Sequence, residues 1–158
     1  MSAHAIFDRA PLGSLIRYSD GTSQPPERHS KKLANWRRRN SGGRLIRKQD
    51  ARSVGSMTLP ATITLHKGDF GQGGIVVLTV HETISVDNDL TFTVIEQPAI
   101  GAVRILSGPE DDAELLHLAP GMADAETWLQ EHRYPDAVLD EVTADHVAAD
   151  VVEGRAAA

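Results

Sequence analysis

The sequence predicts an α+β protein in which an antiparallel β-meander sheet follows one basic helix and carries one or two C-terminal helices packed on it. Three observations support this. Four stretches between residues 61 and 106 are rich in Thr, Val and Ile, alternate in hydropathy and are separated by turn residues. Nine Lys or Arg side chains and no Asp or Glu fall between Arg28 and Lys48, a window with its own helix start and stop signals. From Met122 onward, Ala125, Trp128, Leu129 and His132 recur at helical spacing among acidic residues.

Taken in order, residues 1–22 read as an N-terminal arm or edge strand. Leu12 to Tyr18 is apolar-rich and stops at the turn cluster Ser19, Asp20 and Gly21. Residues 23–158 then form a single domain. Its first element is a basic helix over 24–40, with Ser23 as N-cap, Pro25 and Pro26 in the first turn, and Gly42 and Gly43 as left-handed stop residues. At about 100° per residue Leu33, Trp36 and His29 share a narrow apolar stripe, so the helix docks by one edge and presents its cations.

The sheet occupies 44–118. A strand at Arg44 to Lys48 precedes a linker at 49–58. Strands follow at Ala61–His66, Gly74–Val86, Leu90–Gln97 and Gly101–Leu106, divided by Lys67-Gly68-Asp69, the glycine-rich 71–74, Asp87-Asn88-Asp89 and Pro98. Ala113 to Leu118 fits a further strand or a helix. The acidic helical part covers 122–153: a helix over Met122–Arg133 is stopped by Tyr134-Pro135, and from Asp136 there is either one helix or a short strand and a helix capped by Thr143.

Composition limits function. With 41% hydrophobic and 24% charged residues the 158-residue chain is globular and large enough for one core. It has no cysteine, which removes disulfides, thiolate catalysis and thiolate-held zinc and suits a reducing, cytoplasmic setting. Neither a signal-peptide run nor a span of membrane-crossing length is visible. The charge is strongly divided: residues 1–60 hold twelve basic and four acidic side chains, and residues 61–158 hold four basic and eighteen acidic ones. A cationic stripe on an otherwise acidic chain attracts polyanions where it is presented.

The candidate site is therefore Arg28, Lys31, Lys32, Trp36, Arg37, Arg38, Arg39, Arg44, Arg47 and Lys48, cations for phosphates with an indole for base stacking. This reads as a non-enzymatic nucleic-acid-binding accessory protein, for DNA or RNA, without cofactor or metal. The alternative is a small interaction module or inhibitor whose acidic surface, including Glu126, Glu131, Asp136, Asp140, Asp145, Asp150 and Glu153, imitates nucleic acid and engages a basic protein such as a nuclease. Opposite charges on one chain also allow a homodimer.

The remaining motifs carry little chemistry. None of the seven histidines forms an i, i+4 pair with another, although His66 and His81 are placed to meet across a hairpin. Asp87-Asn88-Asp89 lacks the glycine and closing glutamate of a calcium loop. Gly68 to Gly74 lacks the Lys-Ser/Thr and following helix of a phosphate loop, and there is no Gly-x-Ser-x-Gly elbow.

Overall fold

A computed structural model describes residues 1–147, and it is α+β with every strand pair antiparallel. The elements run α1 (Ala3–Arg9), β1 (Leu15–Ser19), α2 (Ser30–Arg39), β2 (Ser41–Gln49), β3 (Arg52–Val54), β4 (Met57–Leu59), β5 (Thr62–Gln72), β6 (Ile75–Ser85), β7 (Thr91–Glu96), β8 (Val103–Ser107), β9 (Glu114–Ala119), α3 (Met122–Glu131) and β10 (Val138–Glu141). A short 3-10 turn at Glu110–Asp112 precedes β9.

The strands form three sheets rather than one meander. The largest has the order β6-β5-β2-β1-β7, a second has the order β10-β8-β9, and β3 and β4 make a separate hairpin where a linker is expected. Consecutive strands pair in the hairpins, but β1–β7 and β2–β5 join residues far apart in sequence. Such pairings are invisible to local pattern.

Leu15–Ser19 is an inner strand, not an arm or an edge. Its alternate residues Ile16 and Tyr18 are fully buried, and α1, which the sequence reading misses, adds Ala3 and Ile6 to the same core, with Ala10 just past its end. That core is completed by Leu45, Ile63, Leu65 and Phe92 on the inner face of the large sheet. The sheet is strongly coiled. Its two edge strands are joined by residues 86–90 alone, and the Tyr18 hydroxyl on β1 donates to Glu82 Oε2 on β6 at 2.7 Å, past β2 and β5. On the outer face β9 lies against β2, and α3 packs on β8 and β9 around Val103, Ile105, Ala119 and Ala125.

Three local expectations are corrected. The basic helix begins at Ser30, with His29 as its cap residue and no side-chain cap bond; Pro25 and Pro26 lie before it, ahead of a turn in which the His29 N–H donates to the Pro26 carbonyl at 3.0 Å. Gly42 and Gly43 do not stop the helix in the left-handed conformation. They are extended residues inside β2, where a Cβ on Gly43 would lie 2.5 Å from the His66 carbonyl oxygen and one on Gly42 would meet the Ile16 carbonyl. Lys67-Gly68-Asp69 is not a turn either: β5 continues through it to Gln72, with register shifts at His66/Gly68 and Phe70/Gly71, and reverses at Gly73 and Gly74, both at positive φ. Two successive positive φ values match the twist of a two-residue hairpin.

At the C-terminal side, the strand-then-helix alternative from Asp136 is found: β10 pairs with β8, and residues 144–147 are helical after Thr143. The parts of the acidic reading at Asp150 and Glu153 lie outside the described residues. No helix among the described residues is long and apolar enough to cross a membrane.

Candidate functional site

Helix α2 is held by its C-terminal end. The Asn40 amide donates to Asp20 Oδ1 at 3.0 Å and to the Trp36 carbonyl at 2.9 Å, and its oxygen accepts from Ser19 Oγ at 2.6 Å. Trp36 Nε1 donates to the Thr22 carbonyl at 2.9 Å. Arg39 bridges Asp20 (3.1 Å) and Asp89 (2.8 Å). Hydrogen bonds from Thr22, then Asn40, hold the Asp20 carboxyl well below the usual carboxylate range. Leu33 is the helix's only buried residue. Arg37, Arg38 and Arg39 fill the last turn, where positive charge is favoured by the helix dipole.

The ten residues picked from sequence separate into two groups. Arg28, Lys31, Lys32, Arg37 and Arg38 are exposed and make no ion pair among the described residues; Arg28 donates to the His29 ring at 3.3 Å. The others are engaged by the protein itself. Arg39 is double-bridged as above. Arg47 grips Asp112 with two hydrogen bonds, of 3.0 and 2.5 Å. Arg44 donates to the Gly13 carbonyl at 2.6 Å. Lys48 lies over the Phe7 ring at 6.0 Å, and burial pushes its amine down to about 8. Trp36 is half-buried with its N–H occupied, so its ring edge is fixed.

Beside the end of α2 a shallow groove of about 740 Å³ runs over Gly42 and Gly43 and is lined by Arg17, Asn40, Arg44 and Lys67. Arg17 is exposed on β1 and is absent from the sequence-derived set, since as an isolated charge before the basic run it gives no local signal. Lys67 is tied inward, donating to the Tyr18 hydroxyl and to Ser41 Oγ, each at 2.7 Å, and pairing with Glu82 at 2.7 Å. Burial alone would lower the Lys67 amine, but its bonds to Glu82 and Tyr18 outweigh it and the net shift is upward.

A second cavity, of about 560 Å³, opens between the outer face of the large sheet and β9 and is lined by Arg44, His66, Asp69, His81, Glu114 and His117. His66 and His81 do meet across the hairpin, with ring centroids 5.6 Å apart, and His66 bonds Asp69 at 2.8 Å. Trp128 stacks with His117 (5.1 Å) and with His132 (4.0 Å), and burial lowers the His117 imidazole. Among the described residues no cluster of three His, Asp or Glu side chains is arranged to hold a metal.

The acidic side chains also separate. Asp20, Asp89, Asp112 and Asp140 answer arginines of the same chain. Glu126, Glu131, Asp136 and Asp145 stand exposed.

Comparison with known proteins places these features in one family. A family model described as Uncharacterised conserved protein UCP036055 matches residues 1–146, and the chain belongs to that family. No curated protein and no solved structure matches it.

Proposed function

We propose that this member of the family is a nucleic-acid-binding accessory protein that works through α2 and the residues leading into it. The observation that supports this is the difference between the two groups of cations. Arg39 and Arg47 are paired with carboxylates, whereas Arg28, Lys31, Lys32, Arg37 and Arg38 stand exposed with no ion pair among the described residues. Unpaired cations along one helix suit a phosphate track, and this contact reads charge rather than sequence. Arg17 and the glycine-floored groove extend the track past the end of the helix. A cysteine-free chain fits a cytoplasmic location for such a role.

The test is binding of labelled single- and double-stranded nucleic acid across a salt series. Five neutralised phosphates correspond to a log–log slope of about −4 to −5 on duplex. Arg37→Ala with Arg38→Ala should lower affinity at least several-fold and flatten the slope by about two, while melting temperature falls by no more than a few degrees, because both side chains are exposed, make no hydrogen bond or ion pair among the described residues and contribute only their favourable charge at the helix end. Equal binding by the double variant, or none by the native chain at low salt, would reject the reading.

A further inference from the structure

Three strands of the large sheet bring Arg44, His66 and His81 into one row. Arg44 pairs with His66 across β2 and β5, and His66 pairs with His81 across β5 and β6, so the three side chains leave the same face of the sheet. A bulge adds a carboxylate to that face. The register passes from His66 opposite His81 to Gly68 opposite Val80, which leaves Lys67 as the extra residue. Asp69 rather than Gly68 then shares the face of His66, opposite Thr79, while the Lys67 amine turns inward to Tyr18. His66 Nε2 lies 2.8 Å from Asp69 Oδ1, and hydrogen bonds from His66, then Thr79, hold the Asp69 carboxyl below the usual carboxylate range. An ionised carboxylate only accepts, so Nε2 carries the His66 proton and Nδ1 is the nitrogen that gains or loses one.

This row lines the cavity of about 560 Å³, together with Glu114 and His117 of β9 and with Tyr134. Arg44 and His66 also line the groove beside the end of α2, so the cavity continues the cationic track. One guanidinium nitrogen of Arg44 is spent on the Gly13 carbonyl; its other nitrogens and the exposed His81 ring make no hydrogen bond among the described residues. The charge of the lining depends on the imidazoles. With these neutral, one guanidinium faces the two carboxylates of Asp69 and Glu114 and the lining is net negative by one; with His66 and His81 protonated it is net positive by one. Burial, with His132 nearby, lowers the His117 imidazole, so the change of sign belongs to His66 and His81.

We infer that this cavity binds a phosphate group, held by Arg44, His66 and His81 and read by Glu114, which accepts from a hydroxyl of the phosphate itself. Guanidinium and imidazolium donors favour any oxyanion. Glu114 narrows the choice, because a carboxylate beside an anion needs a donor between them. A protonated phosphate supplies one, and sulfate or an ionised carboxylate does not. The cavity is larger than a phosphate ion alone fills and is of the size of small-molecule sites, so the group arrives on a phosphomonoester: a free nucleotide, or the terminal phosphate of a strand lying along the groove. The strand-end source rests on the nucleic-acid reading, whereas the phosphate site itself does not. A phosphomonoester takes up its second proton near pH ~6, and imidazole also gains charge as pH falls, so binding tightens in that direction.

Titration of the native chain with inorganic phosphate, followed by the imidazole NMR signals of His66 and His81, tests it. Both signals should shift saturably at about pH 6, with affinity at least about tenfold weaker at about pH 8. Sulfate at the lower pH should bind at least about tenfold more weakly than phosphate, and Glu114→Gln should bring the two anions together. Arg37→Ala with Arg38→Ala, which disables the α2 track, should leave the phosphate titration unchanged, so failure of the track and failure of this site are told apart. A 5′-mononucleotide and a 5′-phosphorylated oligonucleotide identify the source. Shifts from both, absent with the 5′-hydroxyl strand, assign the strand end; shifts from the mononucleotide alone assign the free nucleotide. No saturable shift with phosphate, sulfate bound as tightly as phosphate, or affinity indifferent to pH would overturn the inference. These three comparisons use the native chain and decide the matter even if Glu114→Gln folds poorly.

Discussion

Residues that make the fold are distinguished by what surrounds them rather than by type. Tyr18 is buried to its ring, and its hydroxyl donates to Glu82 while accepting from Lys67, so a polar knot closes the concave face of the large sheet without an unsatisfied group. Burial raises the Tyr18 hydroxyl, and Lys67 and Tyr18 together hold the Glu82 carboxyl down against its own burial. Gly42 and Gly43 are needed because β1 and β5 approach β2 too closely for a side chain. From sequence they read as a helix stop, since glycine marks both situations and only the neighbouring strands choose between them. Lys48 shows the opposite side of burial. Its amine is pushed from 10.5 to about 8, so between those values the unfolded chain holds more protons and stability rises with pH; below about 8 the penalty is constant. Lys48→Met should therefore raise the melting temperature by a few degrees at pH 7, with the gain shrinking above pH 8 and gone near 10.5. Thermal melts of both chains across that range measure it.

Elements were legible wherever the pattern was strong and local. The strands expected at 61–66, 74–86, 90–97 and 101–106 carry alternation and turn chemistry in the sequence and are present as β5, which runs on to Gln72, and as β6, β7 and β8, and α2 and α3 are present as well. Helix α1 was not legible, because seven residues are too few for a periodic signal and its two buried side chains find their core only after β1, β5 and β7 assemble. The attachment of α2 is a property of its end. A narrow stripe with one buried leucine gives little burial, so Asn40 and Arg39 do most of the anchoring. Asn40→Ala removes bonds to Ser19, Asp20 and Trp36 at a cost of roughly 1–3 kcal/mol. Hydrogen exchange should then quicken along α2 and leave the amides of β1 and β2 protected. Uniform acceleration of both would show that the helix and sheet open together, against this account.

For the whole molecule, charge is segregated along the chain, and the proposed interaction through α2 is governed by salt. Nucleic-acid binding through α2 weakens steeply as salt rises. Sedimentation of the chain with labelled nucleic acid at low and high salt should show the complex lost as salt rises. What the sequence determined by itself was the fold class, most of the strands, the two longer helices and the location of the cationic run, because periodicity, turn residues and charge are local properties. The tertiary structure alone decided which cations remain available. Arg39 meets Asp89 fifty residues away and Arg47 meets Asp112 sixty-five residues away, and those pairs exist only because nonlocal strand pairing brings the carboxylates there. Burial depends on what a strand ends up beside, and no window along the chain contains that neighbour.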